Sequence, residues 1–212
     1  MKQKLFIILF LFTYSQISRA QKNPSKELHL FASFGLKPLH QKSFLFQQNV
    51  SHSVATTIGA GGLWQRNKLQ FGIEFFYSEA QRDESGLKTK YSGLNNNLIV
   101  GYRIDLSQKI RLSLQTGLGF TLNHMYVTNE SHTSADHFNT VVFHNNNYYV
   151  PLSILVQRIN KSGTFIGLKA GYNINMKANH WDSGQTGSSH HYNSESDGFY
   201  LQLNIGGMLK FK

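Results

Sequence analysis

The stretch Phe199-Tyr200-Leu201-Gln202-Leu203-Asn204-Ile205-Gly206-Gly207-Met208-Leu209-Lys210-Phe211 decides how this chain is read. Taken alternately, one face carries Phe199, Leu201, Leu203, Ile205, Gly207, Leu209 and Phe211. The other carries Tyr200, Gln202, Asn204, Gly206, Met208 and Lys210. A period of two means a β-strand, and a strand that crosses a membrane needs about 9–11 residues. If this is the closing strand of a barrel, matching strands must precede it.

They do. Leu28, Leu30, Ala32, Phe34 and Leu36 alternate with His29, Phe31, Ser33 and Gly35, and Pro38 is read as the end of that strand. Val54 to Trp64 is read as the second strand, and a tight turn at Arg66-Asn67 leads into Leu69, Phe71, Ile73, Phe75 and Tyr77. The fourth strand runs over Leu94 to Ile104, the fifth over Ile110 to Asn123, the sixth over Val150 to Val156 and the seventh over Ile166 to Met176. With the closing strand this predicts eight. The connections alternate long and short. Polar loops are read up to about His52, over Gln81 to Lys88, over Thr128 to Asn146 and over Asn179 to Asp197. Short turns at one end and long loops at the other are the pattern of outer-membrane barrels.

The apolar faces carry no charge, as a lipid-facing surface requires, because Lys or Arg at the membrane midplane costs about 2–4 kcal/mol. A water-soluble barrel would turn its polar face outward and need roughly 25–35% charge there. Only 15% of all 212 residues are charged, and the polar faces are mostly Gly, Asn, Gln, Ser and Thr. The apolar face is therefore read as the exterior. Trp64, Tyr102 and Phe211 fall at the short-turn end, with Tyr77, Tyr126 and Phe199 toward the long loops, giving two aromatic belts.

Residues 1–20 read as a secretory signal peptide: Lys2 and Lys4, an apolar run from Leu5 to Phe12, then Ser18-Arg19-Ala20 before Gln21. The run is too short for a transmembrane helix, which needs about 20 apolar residues. Residues 21–212 then form one barrel domain. The absence of cysteine excludes disulfides and thiolate metal sites. The net charge of +10 is scattered rather than gathered into a tract, so no nucleic-acid partner is expected.

An eight-stranded barrel has an interior its own side chains fill. The lumen charges are read as Glu74, Arg103, Arg111 and Lys169, with Lys210 near the short-turn mouth. Glu74 and Lys169 sit at similar heights, and a buried carboxylate must be paired, so a Glu–Lys or Glu–Arg bridge is expected. Histidines cluster in or beside the long loops, at positions 40, 52, 132, 137, 144, 180, 190 and 191. Imidazole ligates Zn, Cu or Ni, but no pair has the spacing of a rigid site, so no metal is assigned. His132, Ser134 and Asp136 have hydrolase-like spacing, yet they fall within a polar loop and triads are defined by geometry. No catalytic residue and no cofactor are assigned.

The whole pattern from Gln21 to Lys212, with Tyr149-Val150-Pro151-Leu152 opening the sixth strand and the closing strand above, resembles the small outer-membrane β-barrel proteins. These are the OmpA/OmpX-like eight-stranded group within the outer membrane protein beta-barrel domain family. The resemblance implies that the last strand is read by the barrel-assembly machinery. Here Phe211 is penultimate and Lys212 last. The peptidoglycan-binding domain that follows the barrel in full OmpA-type proteins is not expected.

The sequence thus predicts an all-β, antiparallel, up-and-down transmembrane barrel of eight strands, monomeric and set in outer-membrane lipid. It is expected to be non-enzymatic and to present four long polar loops for adhesion, binding of an unknown extracellular ligand, or envelope integrity. Trp181, Tyr192 and Tyr148 are candidate loop contacts. The alternative is a narrow channel for small solutes.

Overall fold

A computed structural model describes residues 26–39, 53–84, 87–129, 140–176, 179–183, 192–194 and 198–211. The leader, the first polar loop at 40–52 and the His132, Ser134, Asp136 trio lie outside the described residues. Strands β1 (Lys26–Leu39), β2 (Ser53–Arg66), β3 (Leu69–Glu84), β4 (Leu87–Asp105), β5 (Ile110–Asn129), β6 (Thr140–Ile159), β7 (Thr164–Asn175) and β10 (Gly198–Phe211) pair antiparallel, each with its neighbour. β10 closes the ring on β1, from Lys26↔Phe211 to Leu36↔Leu201. Two short strands, β8 (Asn179–Ser183) and β9 (Tyr192–Ser194), form a hairpin attached to the far end of β6.

The alternation read from sequence decides which face meets which environment. Leu98, Leu118, Ile58 and Leu168 stand more than half exposed on the outside of the ring. The residues before them in the chain, Asn97, Gly117, Thr57 and Gly167, occupy the opposite phase and face inward. A soluble protein could not keep such a contiguous apolar surface in water. Trp64 and Phe211 pack with ring centroids 5.6 Å apart at the short-turn end, and Phe120 lies 4.9 Å from Tyr148 toward the other.

The short turns lie at 67–68, 106–109 and 160–163. Asn67 adopts φ 58° and Gly163 φ 83°, the left-handed conformation that tight hairpins demand and that Asn and Gly tolerate. At the other end the strands outrun the sequence reading. The stretch read as a loop over 81–88 is a paired hairpin, with β3 and β4 in register to Glu84↔Leu87. The loop read over 128–146 is likewise half ladder, since β5 and β6 pair out to Thr128↔Thr140. Both extensions carry polar residues on the outward face. Beyond the bilayer the outward face meets water and the inward face carries apolar residues such as Ala80, Tyr91 and Phe143, so pairing persists with the polarity reversed from that of the membrane span. Two further readings shift: Pro38 lies inside β1, which ends at Leu39, and Tyr148 stands on the outer face of β6 rather than in a loop.

Candidate functional site in the barrel lumen

The interior is layered. Nearest the short turns, Glu27 lies in the lumen with two guanidiniums on it: Arg111 Nη1 at 2.6 Å and Arg103 Nη1 at 3.4 Å. His29 Nε2 is 3.2 Å from the same carboxylate. Asp105, at the rim and half-exposed, approaches Arg103 Nε at 3.1 Å and Arg111 Nε at 3.6 Å. From Glu27 a chain of amides crosses the barrel wall. Gln65 donates to Glu27, Gln70 to Gln65, and Gln115 to Gln70, at 3.4, 3.2 and 3.4 Å. Lys210 is exposed, not buried in this cluster.

Above it comes an apolar layer of Phe31, Leu63, Ile99, Leu155, Ile159 and Phe165, with Met208 packed against it. Six of the eight barrel strands contribute. Gly61 leaves room for the Phe31 ring, whose Cζ is 2.6 Å from where a Cβ would stand. The buried side chains of this layer offer no nitrogen or oxygen to hold water.

At mid-height the structure brings together Glu74 of β3 and Lys169 of β7, which are not neighbours in the sheet. Lys169 Nζ donates to both carboxylate oxygens, at 2.6 and 2.7 Å, and both side chains are fully buried. Asn97 Nδ2 adds a 3.4 Å contact to Glu74 Oε2, and Tyr149 Oη donates to Asn97 Oδ1 at 2.6 Å. The geometry is a closed ion pair whose carboxylate also accepts from Asn97, the kind of added hydrogen bonding that makes a buried bridge tolerable. Tyr149 reaches inward because Gly119 lies opposite it; a Cβ there would collide with the ring.

Farther out lies a polar chamber lined by Lys37, Thr57, Ser78, Asn95, Asn97 and Gln202, among others. Lys37 is buried and has no ion-pair partner among the described residues. A second apolar cluster of Leu39, Ala55, Ala80, Tyr91 and Phe143 roofs this chamber. The sequence reading missed both Glu27 and Lys37. Glu27 falls at the boundary where a polar lead-in was expected to end. Lys37 precedes the proline taken as the strand's end, although its phase with Gly35 and Ser33 would have put it inside.

Of the histidines read as loop residues, His144 is in β6, directly opposite His124 of β5. His180 is in β8, opposite Asn193. Trp181 and Tyr192 are register partners across β8 and β9. Among the described residues no group of three or more His, Cys, Asp or Glu side chains is gathered as a metal cage.

No family profile matches the sequence, and no curated protein does. Solved structures match the fold. The outer membrane protein OprG of Pseudomonas aeruginosa superposes with a TM-score of 0.55 at 11% identity, over 88% of this chain and 97% of that one. The attachment invasion locus protein Ail of Yersinia pestis, in complex with the heparin analogue sucrose octasulfate, gives 0.51 at 9% identity, over 87% and 99%. At such identities the likeness is one of fold. With the apolar exterior, the aromatic belts and the closed ring, the chain has the fold of the small eight-stranded β-barrels of the outer membrane.

Proposed function

We propose that this barrel is a closed, non-enzymatic anchor, exported by its N-terminal leader, that holds polar segments at the cell surface for binding, adhesion or envelope integrity. The observation that carries the reading is the filled lumen: an apolar layer, a buried Glu74–Lys169 bridge and an apolar roof lie in series. A channel needs a continuous hydrated path, and an eight-stranded ring with this packing leaves none. The short turns face the periplasm by the general rule for such barrels. The opposite end then extends outward. Beyond Tyr77↔Leu94, β3 and β4 continue through seven further residue pairs, from Ser78↔Gly93 to Glu84↔Leu87. At about 3.4 Å per residue this is roughly 20 Å of ladder, well beyond what the bilayer needs.

Two measurements test the reading. The purified barrel in planar bilayers is expected to give no ohmic steps; steps that persist, and change with Glu74→Gln, would establish a conducting lumen instead. An epitope inserted beside Gly187 is expected to be labelled on intact cells. Labelling only after permeabilisation would reverse the orientation and remove the surface role.

A further inference from the structure

The outer rim of the barrel carries a histidine pair whose geometry the closed-anchor reading does not use. His124 and His144 are direct cross-strand partners on the outward face of β5 and β6. Their Nδ1 atoms lie 2.8 Å apart, with the ring planes at 88° and the centroids 4.8 Å apart. We propose that this pair is a binding site for a divalent transition-metal ion of the Cu2+, Ni2+ or Zn2+ class.

Three features of the geometry support it. First, both rings aim the same atom, Nδ1, at one point. At 2.8 Å one ring donates its Nδ1–H to the other, and a metal ion that displaces that single shared proton would find both Nδ1 atoms already brought together. Second, the separation suits one metal. Ligand nitrogens at about 2.0–2.1 Å from an ion, subtending 90–109°, stand about 2.8–3.4 Å apart. The observed value is at the right-angled end, the cis geometry of tetragonal Cu2+ and Ni2+ sites. Third, the surroundings are polar and open. The registers place Glu79, Ser92, His124, His144 and Asp182 in one row across five strands, β3, β4, β5, β6 and β8. Glu79 is engaged by Lys90 at 2.9 Å. Solvent can fill the remaining positions because both histidines face outward. The row lies one step beyond the Tyr77–Leu94–Leu122 row and one step inside Tyr126 of the outer aromatic belt, so the site stands at headgroup level.

The test uses the full mature barrel, untagged, in detergent micelles. Titration with NiCl2 by calorimetry is expected to show one saturable ion per barrel, and CuCl2 is expected to give an EPR spectrum with coupling to two imidazole nitrogens. His124→Ala and His144→Ala should each weaken Ni2+ binding by about tenfold or more, since even an outer-shell partner of a metal ligand is worth that much. The His132→Ala/His137→Ala variant should leave it unchanged. Because both rings stand on the outer face, the strand variants keep the lumen packing, which heat-modifiable gel migration verifies. If the more drastic variants do not fold, His124→Gln and His144→Gln take their place. Absence of saturable binding in the wild type, or full binding in the double strand variant, overturns the proposal. So does loss of binding in the loop variant alone.

Discussion

Removal of the Glu74 carboxylate by Glu74→Gln is expected to lower the unfolding free energy of the barrel by about 3–5 kcal/mol, the usual cost of leaving half of a buried ion pair uncompensated. Lys169 is fully buried, and its ammonium donates hydrogen bonds to both oxygens of Glu74. With a glutamine opposite it, that charge keeps one weaker acceptor in a closed lumen. Lys169→Met should cost a similar amount, since it strands the carboxylate with Asn97 as its remaining polar contact. The double variant Glu74→Leu/Lys169→Met should recover most of the loss, because a well-packed apolar pair removes both desolvation costs together. Urea titration in micelles, read by gel migration of folded and unfolded forms, gives all three values. Additive losses in the double variant would show that the two groups do not interact as the structure has them.

The inner mouth should respond in a different way. Glu27→Gln leaves Arg103 and Arg111 facing each other without the carboxylate that both now contact. The expected loss is about 2–3 kcal/mol, between that of a charged hydrogen bond and that of a fully buried pair, because both guanidiniums keep some access to solvent. The defect is net positive charge at a wetted rim, so added salt should restore part of the stability of Glu27→Gln and little of that of Glu74→Gln. Asp105→Asn should cost less than about 1 kcal/mol, as expected of a half-exposed partner. A Glu27→Gln defect with no salt response would indicate lost packing rather than unbalanced charge.

What was legible in advance follows from the range of each signal. Leu201, Leu203 and Ile205 against Gln202 and Asn204 make a local pattern, and a local pattern needs only the pleat of one strand to be read. The eight spans, the lipid face, the aromatic belts and the lumen phase of Glu74, Arg103, Arg111 and Lys169 all belong to that range. The hairpin extensions do not. In β3 beyond Ser78 and in β5 beyond Asn123 the outward face turns polar and the inward face supplies apolar residues such as Ala80, Met125 and Val127, so the alternation inverts and no longer reads as a lipid-facing strand although backbone pairing continues. Glu27 escaped notice for a related reason: at a strand's first residues the period has not yet run long enough to be seen.

By itself, then, the sequence determined that this chain crosses a membrane as strands, which residues face lipid, and which face inward, because lipid and lumen impose opposite chemistries on alternate residues. Partnership across the ring was decided only by the tertiary structure. Glu74 meets Lys169 across 95 residues and His124 meets His144 across 20. Which charges pair across the ring depends on its closure, fixed where the ladder between β1 and β10 locks, and which histidines touch depends on the register between β5 and β6. No single strand carries that information.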